Sequence, residues 1–128
     1  PGAQGISTDV CVPISRLAEC VDKAQSRLAE LGILAPIVGH VGDGNFHCLL
    51  LIDRDNPAEV AKADDFVGWL NDLAISMGGT CTGEHGIGQG KIPYLVKELG
   101  PATRYMQAIK TALDPQGIMN PGKIFVSD

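Results

Sequence analysis

The chain has few of the features that indicate a nucleic-acid-binding, membrane-spanning or zinc-ribbon protein. Its formal net charge is −5 and it has no cluster of basic residues, which argues against nucleic acid as a partner. No apolar run approaches the ~18 residues of a membrane-spanning helix, so no transmembrane segment is predicted. The four cysteines show no CxxC spacing, which disfavours a zinc ribbon and predicts buried, reduced thiols in a reducing compartment.

Histidine is also scarce, and all three histidines lie in two glycine-rich stretches. His40 and His47 lie in the sequence GHVGDGNFH at residues 39–47, and His85 follows Glu84 in GEHGIG at residues 83–88. Two imidazoles and a carboxylate form a common ligand set for a divalent metal. The alternative for a single histidine at a strand end is a structural role. His85, framed by glycines, is the candidate general base because an imidazole suits proton abstraction near pH 7.

The first stretch has the form of a β-hairpin. Apolar runs at residues 33–38 and 48–52 flank it, and Asp43, Gly44 and Asn45 supply turn chemistry between them. The hairpin is expected to set His40 and His47 at neighbouring positions on two antiparallel strands. Asp43 is either a further metal ligand or, as hairpin aspartates more often are, a partner of its own turn backbone. Asn45 is ambiguous in the same way, and we predict that it contacts the substrate.

The order of elements predicts an α+β fold of the ferredoxin-like split βαβ type. A strand at residues 8–13 precedes a helix that Gly32 ends; the hairpin follows, then a helix capped by Asn56 and stopped by Gly78, and a short strand at residues 80–82. Both helices would cover one face of the antiparallel sheet and leave the other open for another partner. His40 and His47 would point to that open face, and further helices follow at residues 91–99 and 105–113.

The position of Glu84 conflicts with a strict version of this fold. The hairpin would lie at one end of the sheet and the last strand would leave at the other, far from both histidines. Three alternatives remain from the residues alone: residues 78–88 fold back, the last strand is offset, or Glu84 is not a ligand. The following GIGQG sequence lacks the spacing of a dinucleotide-binding loop, so we do not expect it to bind nucleotide phosphates.

Three motifs in this order resemble one known family. GHVGDGNFH at 39–47, GTCTGEHGIG at 79–88 and DPQGIMNPGK at 114–123 are similar to motifs in the C-terminal cap domain of FAD-linked 2-hydroxy-acid dehydrogenases. That family belongs to the vanillyl-alcohol oxidase group of flavoproteins and includes cytochrome-type D-lactate dehydrogenase, the glycolate oxidase D subunit and D-2-hydroxyglutarate dehydrogenase. The resemblance implies that residues 1–128 form the cap (substrate) domain and that an N-terminal FAD-binding domain lies outside this chain.

The resemblance also implies roles for individual residues. His40, His47 and Glu84 would bind a divalent metal, zinc or manganese, and His85 would take the proton of the substrate hydroxyl while hydride passes to FAD. Asn120 and Lys123 would lie where the tail returns toward the flavin domain and its cofactor. The partners implied are the FAD-binding domain, a small 2-hydroxy acid and an unidentified electron acceptor, in the cytoplasm or peripherally on the cytoplasmic or matrix side of a membrane.

The chain departs from the hydroxyglutarate branch at one position. That branch typically has Asn two residues after the second motif histidine, where this chain has Leu49. We therefore predict a flavin-dependent D-2-hydroxy-acid dehydrogenase that oxidises D-lactate or glycolate to the 2-oxo acid, with residues 1–128 inactive alone. Two other classes remain open: a stand-alone metal-dependent hydrolase using the same ligands, and a non-catalytic ferredoxin-like binding module.

Overall fold

The computed structural model describes residues 4–125, which form two compact units divided between His85 and Gly86. The first unit contains a small sheet and two long helices. Its elements are β1 (Gln4–Ser7), β2 (Val10–Cys11), α1 (Ile14–Leu31), β3 (Ile37–His40), β4 (Asn45–Ile52) and α2 (Pro57–Ser76).

Strand β4 is the centre of the antiparallel sheet. Strand β3 pairs with one edge of β4, and β1 and β2 pair in succession with the other edge. A single bridge between Cys11 and Thr80 extends the sheet beyond β2. This spatial order is that of the split βαβ unit, so the predicted α+β fold class is confirmed. The fourth strand expected at residues 80–82 is reduced to that one bridge.

The strand expected at residues 8–13 is interrupted rather than continuous. Ser7 lies opposite Leu49 and Val10 opposite Phe46, so the register is the same on both sides of the interruption. The N–H of Thr8 donates to the Cys48 carbonyl, but the Cys48 N–H donates to the Thr8 hydroxyl at 2.8 Å. The hydroxyl thus replaces the Thr8 carbonyl in the ladder and leaves that carbonyl free for another donor.

The hydrophobic core lies between the sheet and the two helices. Alternate residues of β4 are buried against α1 and α2, as the two-residue period of a strand requires. The buried residues of α1 and α2 that face the sheet recur every three or four residues, as expected for one face of a helix. Among residues 4–125, the most completely buried large side chains are those of Val10, Cys20, Cys48, Leu50, Ile52, Phe66, Leu70 and Cys81. His47, Leu49 and Leu51 alternate with the core residues of β4 and therefore lie on the sheet face away from both helices.

The hairpin between β3 and β4 is longer than a two-residue turn. A 3-10 turn at Val41–Asp43 is followed by Gly44 in the left-handed region at φ +74°. A Cβ at Gly44 would collide with the Val12 carbonyl, so both the backbone conformation and the close approach require glycine. The Val12 N–H donates to the Gly44 carbonyl at 3.0 Å and thereby ties the hairpin to the strand before α1.

The second unit is helical in its described part. Helix α3 (Ile92–Leu99) and helix α4 (Thr103–Leu113) are joined by a 3-10 turn at Gly100–Ala102. Both agree with the helices expected from the sequence. The segment after α4 folds onto Asp114, whose carboxylate accepts hydrogen bonds from the N–H groups of Ile118 at 3.0 Å and Met119 at 2.9 Å. Within the described residues of the chain, no helix combines the length and the apolar character needed to cross a membrane.

Candidate functional site

The candidate site is built around His47, on the open face of the sheet. Its side chain is only 12% exposed, and its Nδ1 lies 2.9 Å from the Thr8 carbonyl that the strand interruption leaves free. A carbonyl can only accept a hydrogen bond, so Nδ1 carries the proton in this contact. The lone pair of the neutral ring is therefore on Nε2, which points toward Glu84.

The Glu84 carboxylate lies among the three histidines. Its Oε1 is 3.3 Å from His47 Nε2 and 3.7 Å from His85 Nε2, and its Oε2 is 3.4 Å from His40 Nε2. The rings of His47 and His85 meet edge to face, with centroids 5.6 Å apart. The structure therefore brings together all four residues that the sequence pointed to, including Glu84, which a strict split βαβ sheet would have placed far away.

The position of Glu84 follows from how residues 82–85 fold. Pairing with β2 ends after Thr80, and the chain then wraps around the buried carboxylate of Asp9. Asp9 accepts hydrogen bonds from the N–H groups of Gly83 at 2.8 Å, Glu84 at 3.3 Å and His85 at 3.2 Å. Asp9 lies opposite His47 in the register, so the segment is brought across to the histidine strand.

His40 reaches the site from the edge strand. It lies opposite Asn45 in the register, and Val38 lies opposite His47. The two hairpin histidines are therefore diagonal neighbours on one face rather than a directly opposed pair. Diagonal spacing suits the contact with Glu84, because the carboxylate occupies the space between the two imidazoles.

An open cleft of about 420 Å³ adjoins these four residues. Its other walls are Ser7, Val38, Gly39 and Leu49, so it combines the titratable cluster with mainly apolar neighbours. A volume of this size and a few convergent polar groups are typical of small-molecule sites. Leu49, where the hydroxyglutarate branch has Asn, is 39% exposed beside the cleft.

Asn45 and Asp43, the two hairpin residues whose roles the sequence left open, make different contacts. Asn45 is buried, and its Nδ2 donates to Asp9 Oδ1 at 3.0 Å and to the Val10 carbonyl at 2.9 Å. Its Oδ1 is buried and has no hydrogen-bond partner among the described residues. The Asp43 backbone carbonyl lies 3.2 Å from the Cys11 thiol, which can donate to it.

Burial raises the pKa of the thiols near the core. The pKa of Cys48 rises to about 11, and that of Cys20 also to about 11, chiefly because burial disfavours the thiolate. The pKa of Cys11 is raised by burial and by the charges of Asp43 and Asp9. These three cysteines are therefore protonated thiols at neutral pH and are poor metal ligands or nucleophiles.

Asn120 and Lys123 come together in the second unit. Both line a mainly apolar cavity of about 400 Å³, with Ile87, Leu113 and Phe125 among its other walls. Lys110 forms an ion pair with Asp114 there and donates to the Met119 carbonyl at 2.6 Å. Asn120 has φ +48° and Ile124 has φ +65°, the two non-glycine residues with positive φ among those described.

Thr8 and Asp9 were not predicted from the sequence to belong to the site, because residues 8–13 were expected to form an ordinary strand. Asp is depleted in strands and is rarely buried unless it is partnered. An aspartate within the expected strand was therefore the signal that could have identified this position. One ligand-type atom each of Asp9, His47 and His85 also lies within 4.8 Å of the others. Because both Asp9 oxygens already accept backbone N–H groups, the Glu84 carboxylate is the better placed oxygen donor for a cation.

Comparison with known proteins identifies relatives that are named as D-lactate dehydrogenases or glycolate oxidase subunits. The chain is 50% identical over 125 residues to a probable mitochondrial D-lactate dehydrogenase of Danio rerio, covering 97% of the chain and 25% of that protein. It is 45% identical to the mitochondrial D-lactate dehydrogenase [cytochrome] of Arabidopsis thaliana, covering 97% and 22%. It is 39% identical to the glycolate oxidase subunit GlcD of Bacillus subtilis, covering 96% and 26%.

The chain thus spans about a quarter of the length of these curated relatives. The chain itself is matched over nearly its whole length, because the family profile described as FAD linked oxidases, C-terminal domain, matches residues 1–124. The resemblance seen in the three sequence motifs is confirmed by both comparisons. The chain belongs to the FAD-linked oxidases, as their C-terminal domain.

Proposed function

We propose that this chain is the cap domain of an FAD-dependent D-2-hydroxy-acid dehydrogenase that oxidises D-lactate, or glycolate, to the 2-oxo acid. The observation that carries the proposal is the contact of one carboxylate, Glu84, with three imidazoles beside a substrate-sized cleft, in a chain of this family. The relatives named as D-lactate dehydrogenases and glycolate oxidase subunits support the choice of a short hydroxy acid.

The donor set fits a divalent metal. Two ligands bound tetrahedrally at ~2.0–2.1 Å are about 3.3 Å apart. Glu84 lies 3.3 Å from His47 Nε2 and 3.4 Å from His40 Nε2, so these separations match. The lone pair on His47 Nε2 would otherwise face a carboxylate oxygen, and only a cation or a second ring proton between them relieves that repulsion. We assign His40, His47 and Glu84 as the residues that would hold zinc or manganese.

When bound, such a metal supplies Lewis-acid polarisation of the substrate hydroxyl, and FAD supplies the acceptor for the C2 hydride. The chain's own residues supply orientation and a proton acceptor. His85, which is 67% exposed and lies at the cleft, is placed to take the hydroxyl proton at its ring nitrogen.

The cleft lining supports a small substrate. Val38 and Leu49 present apolar surface next to the histidines, which suits the methyl group of lactate and offers no hydrogen bond to a second carboxylate. Ser7 provides one hydroxyl on the same wall. Asn45 as a substrate contact remains a prediction; its amide contacts with Asp9 and Val10 favour a supporting role.

The remaining three quarters of the enzyme would hold the FAD, with Asn120 and Lys123 contributing from the tail cavity. A location in the cytoplasm, or peripherally on the cytoplasmic or matrix side of a membrane, is part of the same proposal, and two of the relatives described above are named as mitochondrial. The electron acceptor and a native N-terminal flavin domain are the partners we expect.

Anaerobic reduction of the flavin tests the proposal in the intact enzyme. D-lactate should bleach the flavin absorbance, removal of metal with a chelator should abolish the bleaching, and zinc or manganese should restore it. L-lactate is the matched control. Bleaching that survives complete metal removal would refute the metal assignment. Hydrolysis of ester substrates by the 128-residue chain in the presence of metal, without flavin chemistry in the intact enzyme, would instead favour a hydrolase.

A further inference from the structure

One buried carboxylate of the first unit is not used by the proposed chemistry. Asp9 is 5% exposed and accepts hydrogen bonds from four consecutive residues, 82–85: the Thr82 hydroxyl at 3.2 Å and the three following N–H groups at 2.8 to 3.3 Å. The Asn45 amide donates to the same carboxylate. Five donors to one carboxylate are more than its strand position requires, and all but one belong to the segment carrying Glu84 and His85.

The segment packs so closely against this carboxylate that position 83 has no room for a side chain. A Cβ on Gly83 would collide with the Asn45 amide and with Asp9 Oδ1. Neither obstacle is the free end of a flexible side chain, because the Asn45 amide is itself held by Asp9 and the Val10 carbonyl. Glycine at 83 is therefore needed for the backbone N–H groups to reach the carboxylate.

The residue before Asp9 fixes the other half of the site. The Thr8 carbonyl accepts from His47 Nδ1 at 2.9 Å because the Thr8 hydroxyl has taken over the bond to Cys48 N–H. Asp9 Oδ1 itself lies 3.6 Å from His47 Nδ1. Two adjacent residues thus hold the orientation of His47 on one side and the backbone of residues 83–85 on the other.

We propose that Asp9 is the positioning residue of this site: its carboxylate folds residues 82–85 so that Glu84 and His85 meet His47. The inference rests on the proposed function for what the assembled residues do, but the folding of the segment can be measured without metal. Charge matters, because every group that faces Asp9 from this segment is a donor. An amide at this position would present an NH₂ group to N–H donors and lose at least one bond.

The test compares Asp9→Asn with two matched variants in the intact enzyme. Asp114→Asn makes the same change in a buried carboxylate that also accepts two backbone N–H groups, but in the second unit. His40→Ala removes a proposed ligand that contacts the Glu84 side chain, and it leaves the Asp9 hydrogen bonds of residues 82–85 in place. Two quantities are measured: amide hydrogen exchange of the peptide covering residues 82–85 in the metal-free enzyme, and zinc affinity by titration.

Asp9→Asn should speed exchange of that peptide by about tenfold or more, as loss of bonds to a charged acceptor predicts. Zinc affinity should fall by about 10- to 100-fold, the usual effect of losing a residue that orients ligands, and occupancy should recover at higher zinc. His40→Ala should weaken zinc binding and leave exchange of residues 82–85 unchanged. Asp114→Asn should change neither quantity.

Unchanged exchange in Asp9→Asn would overturn the proposal. If the wild-type enzyme binds no zinc, the metal assignment fails, while the exchange measurement still decides the role of Asp9. If Asp9→Asn does not fold, Thr82→Val removes a single donor to Asp9 and should produce the same two effects at smaller size. No change in exchange for Thr82→Val would then count against the proposal.

Discussion

At the scale of single residues, the site depends on which atoms face Glu84. His47 is nearly buried and its Nδ1 is hydrogen-bonded to a carbonyl, whereas His85 is exposed and its Nε2 lies 3.7 Å from Glu84. This difference suits His47 to a fixed ligand role and His85 to proton transfer, because a ligand must be held and a base must reach its substrate.

The roles of the histidines can be separated by substitution. His40→Ala and His47→Ala should each lose metal from the intact enzyme, with partial rescue of activity by excess metal. His85→Ala should keep its metal and lose kcat by ~10²–10⁴-fold with little change in KM, because a base acts in the transition state. Metal content by mass spectrometry and steady-state kinetics on D-lactate measure both. Equal metal loss in His85→Ala would make it a ligand instead.

Leu49 is expected to set the preference between monocarboxylate and dicarboxylate substrates. The wild-type enzyme should have a higher kcat/KM for D-lactate than for D-2-hydroxyglutarate, since Leu49 cannot hydrogen-bond a distal carboxylate. Leu49→Asn should narrow that ratio, by about 10-fold if one hydrogen bond to a charged group is gained. Leu49→Met, which keeps an apolar side chain of similar size, is the control. A wild-type preference for the dicarboxylate would contradict the assignment.

The histidines and Glu84 could be predicted from the sequence, whereas the residues that hold them in position could not. Glycine-framed histidines beside a carboxylate are recognisable from residue type alone, and the alternation along β4 placed His47 on the open face. The interruption at Thr8 and Asp9 was not predictable in the same way. It depends on a hydroxyl and a carboxylate replacing backbone partners, which hydrophobic periodicity does not register.

At the scale of elements, the last strand is short because side chains replace the backbone partners that a longer β-ladder would use. Further pairing after Thr80 would have required backbone N–H groups of the following residues to face the sheet. The Thr82 N–H donates to the Thr80 hydroxyl, and the N–H groups of residues 83–85 donate to Asp9. Hydrogen bonds to a charged acceptor are stronger than neutral ones. The predicted strand at 80–82 therefore ends after one bridge, and Glu84 gains its place at the site.

The segment after α4 is expected to loosen in acid. The pKa of Asp114 is lowered, mainly by its hydrogen bond with Lys110 and further by the N–H groups of Met119 and Ile118. A group with a lowered pKa in the folded state stabilises that state above its unfolded pKa, and the contribution is lost as pH falls through the folded pKa. Amide exchange of residues 118 and 119, corrected for the intrinsic pH dependence, should therefore become less protected below about pH 4. Asp114→Asn should show weak protection at every pH, and pH-independent protection in the wild type would contradict this.

At the scale of the whole molecule, the chain carries the proposed site, and its sequence contains no motif with the spacing of a dinucleotide-binding loop. The 128-residue chain alone should purify without flavin and should not oxidise D-lactate, because it spans only about a quarter of its relatives and the proposed FAD-binding domain lies outside it. Absorbance at the flavin bands and an electron-acceptor dye assay measure this. The intact enzyme treated identically is the positive control, and a yellow 128-residue chain would refute the prediction.

The way Glu84 is delivered to the histidines also has a thermodynamic consequence. His40 and Glu84 are joined by a long stretch of chain and meet only when the sheet and residues 82–85 are in place, so the unfolded chain offers no comparable site. Zinc should then bind the native state alone and raise the unfolding free energy by linkage, by about 2.7 kcal/mol at a free concentration one hundred times Kd. Calorimetry should show a zinc-dependent Tm in the wild type and a smaller dependence in His40→Ala. In this view the proposed cation would stabilise the folded state as well as take part in catalysis, and the supply of metal would change the fraction of the enzyme that is folded.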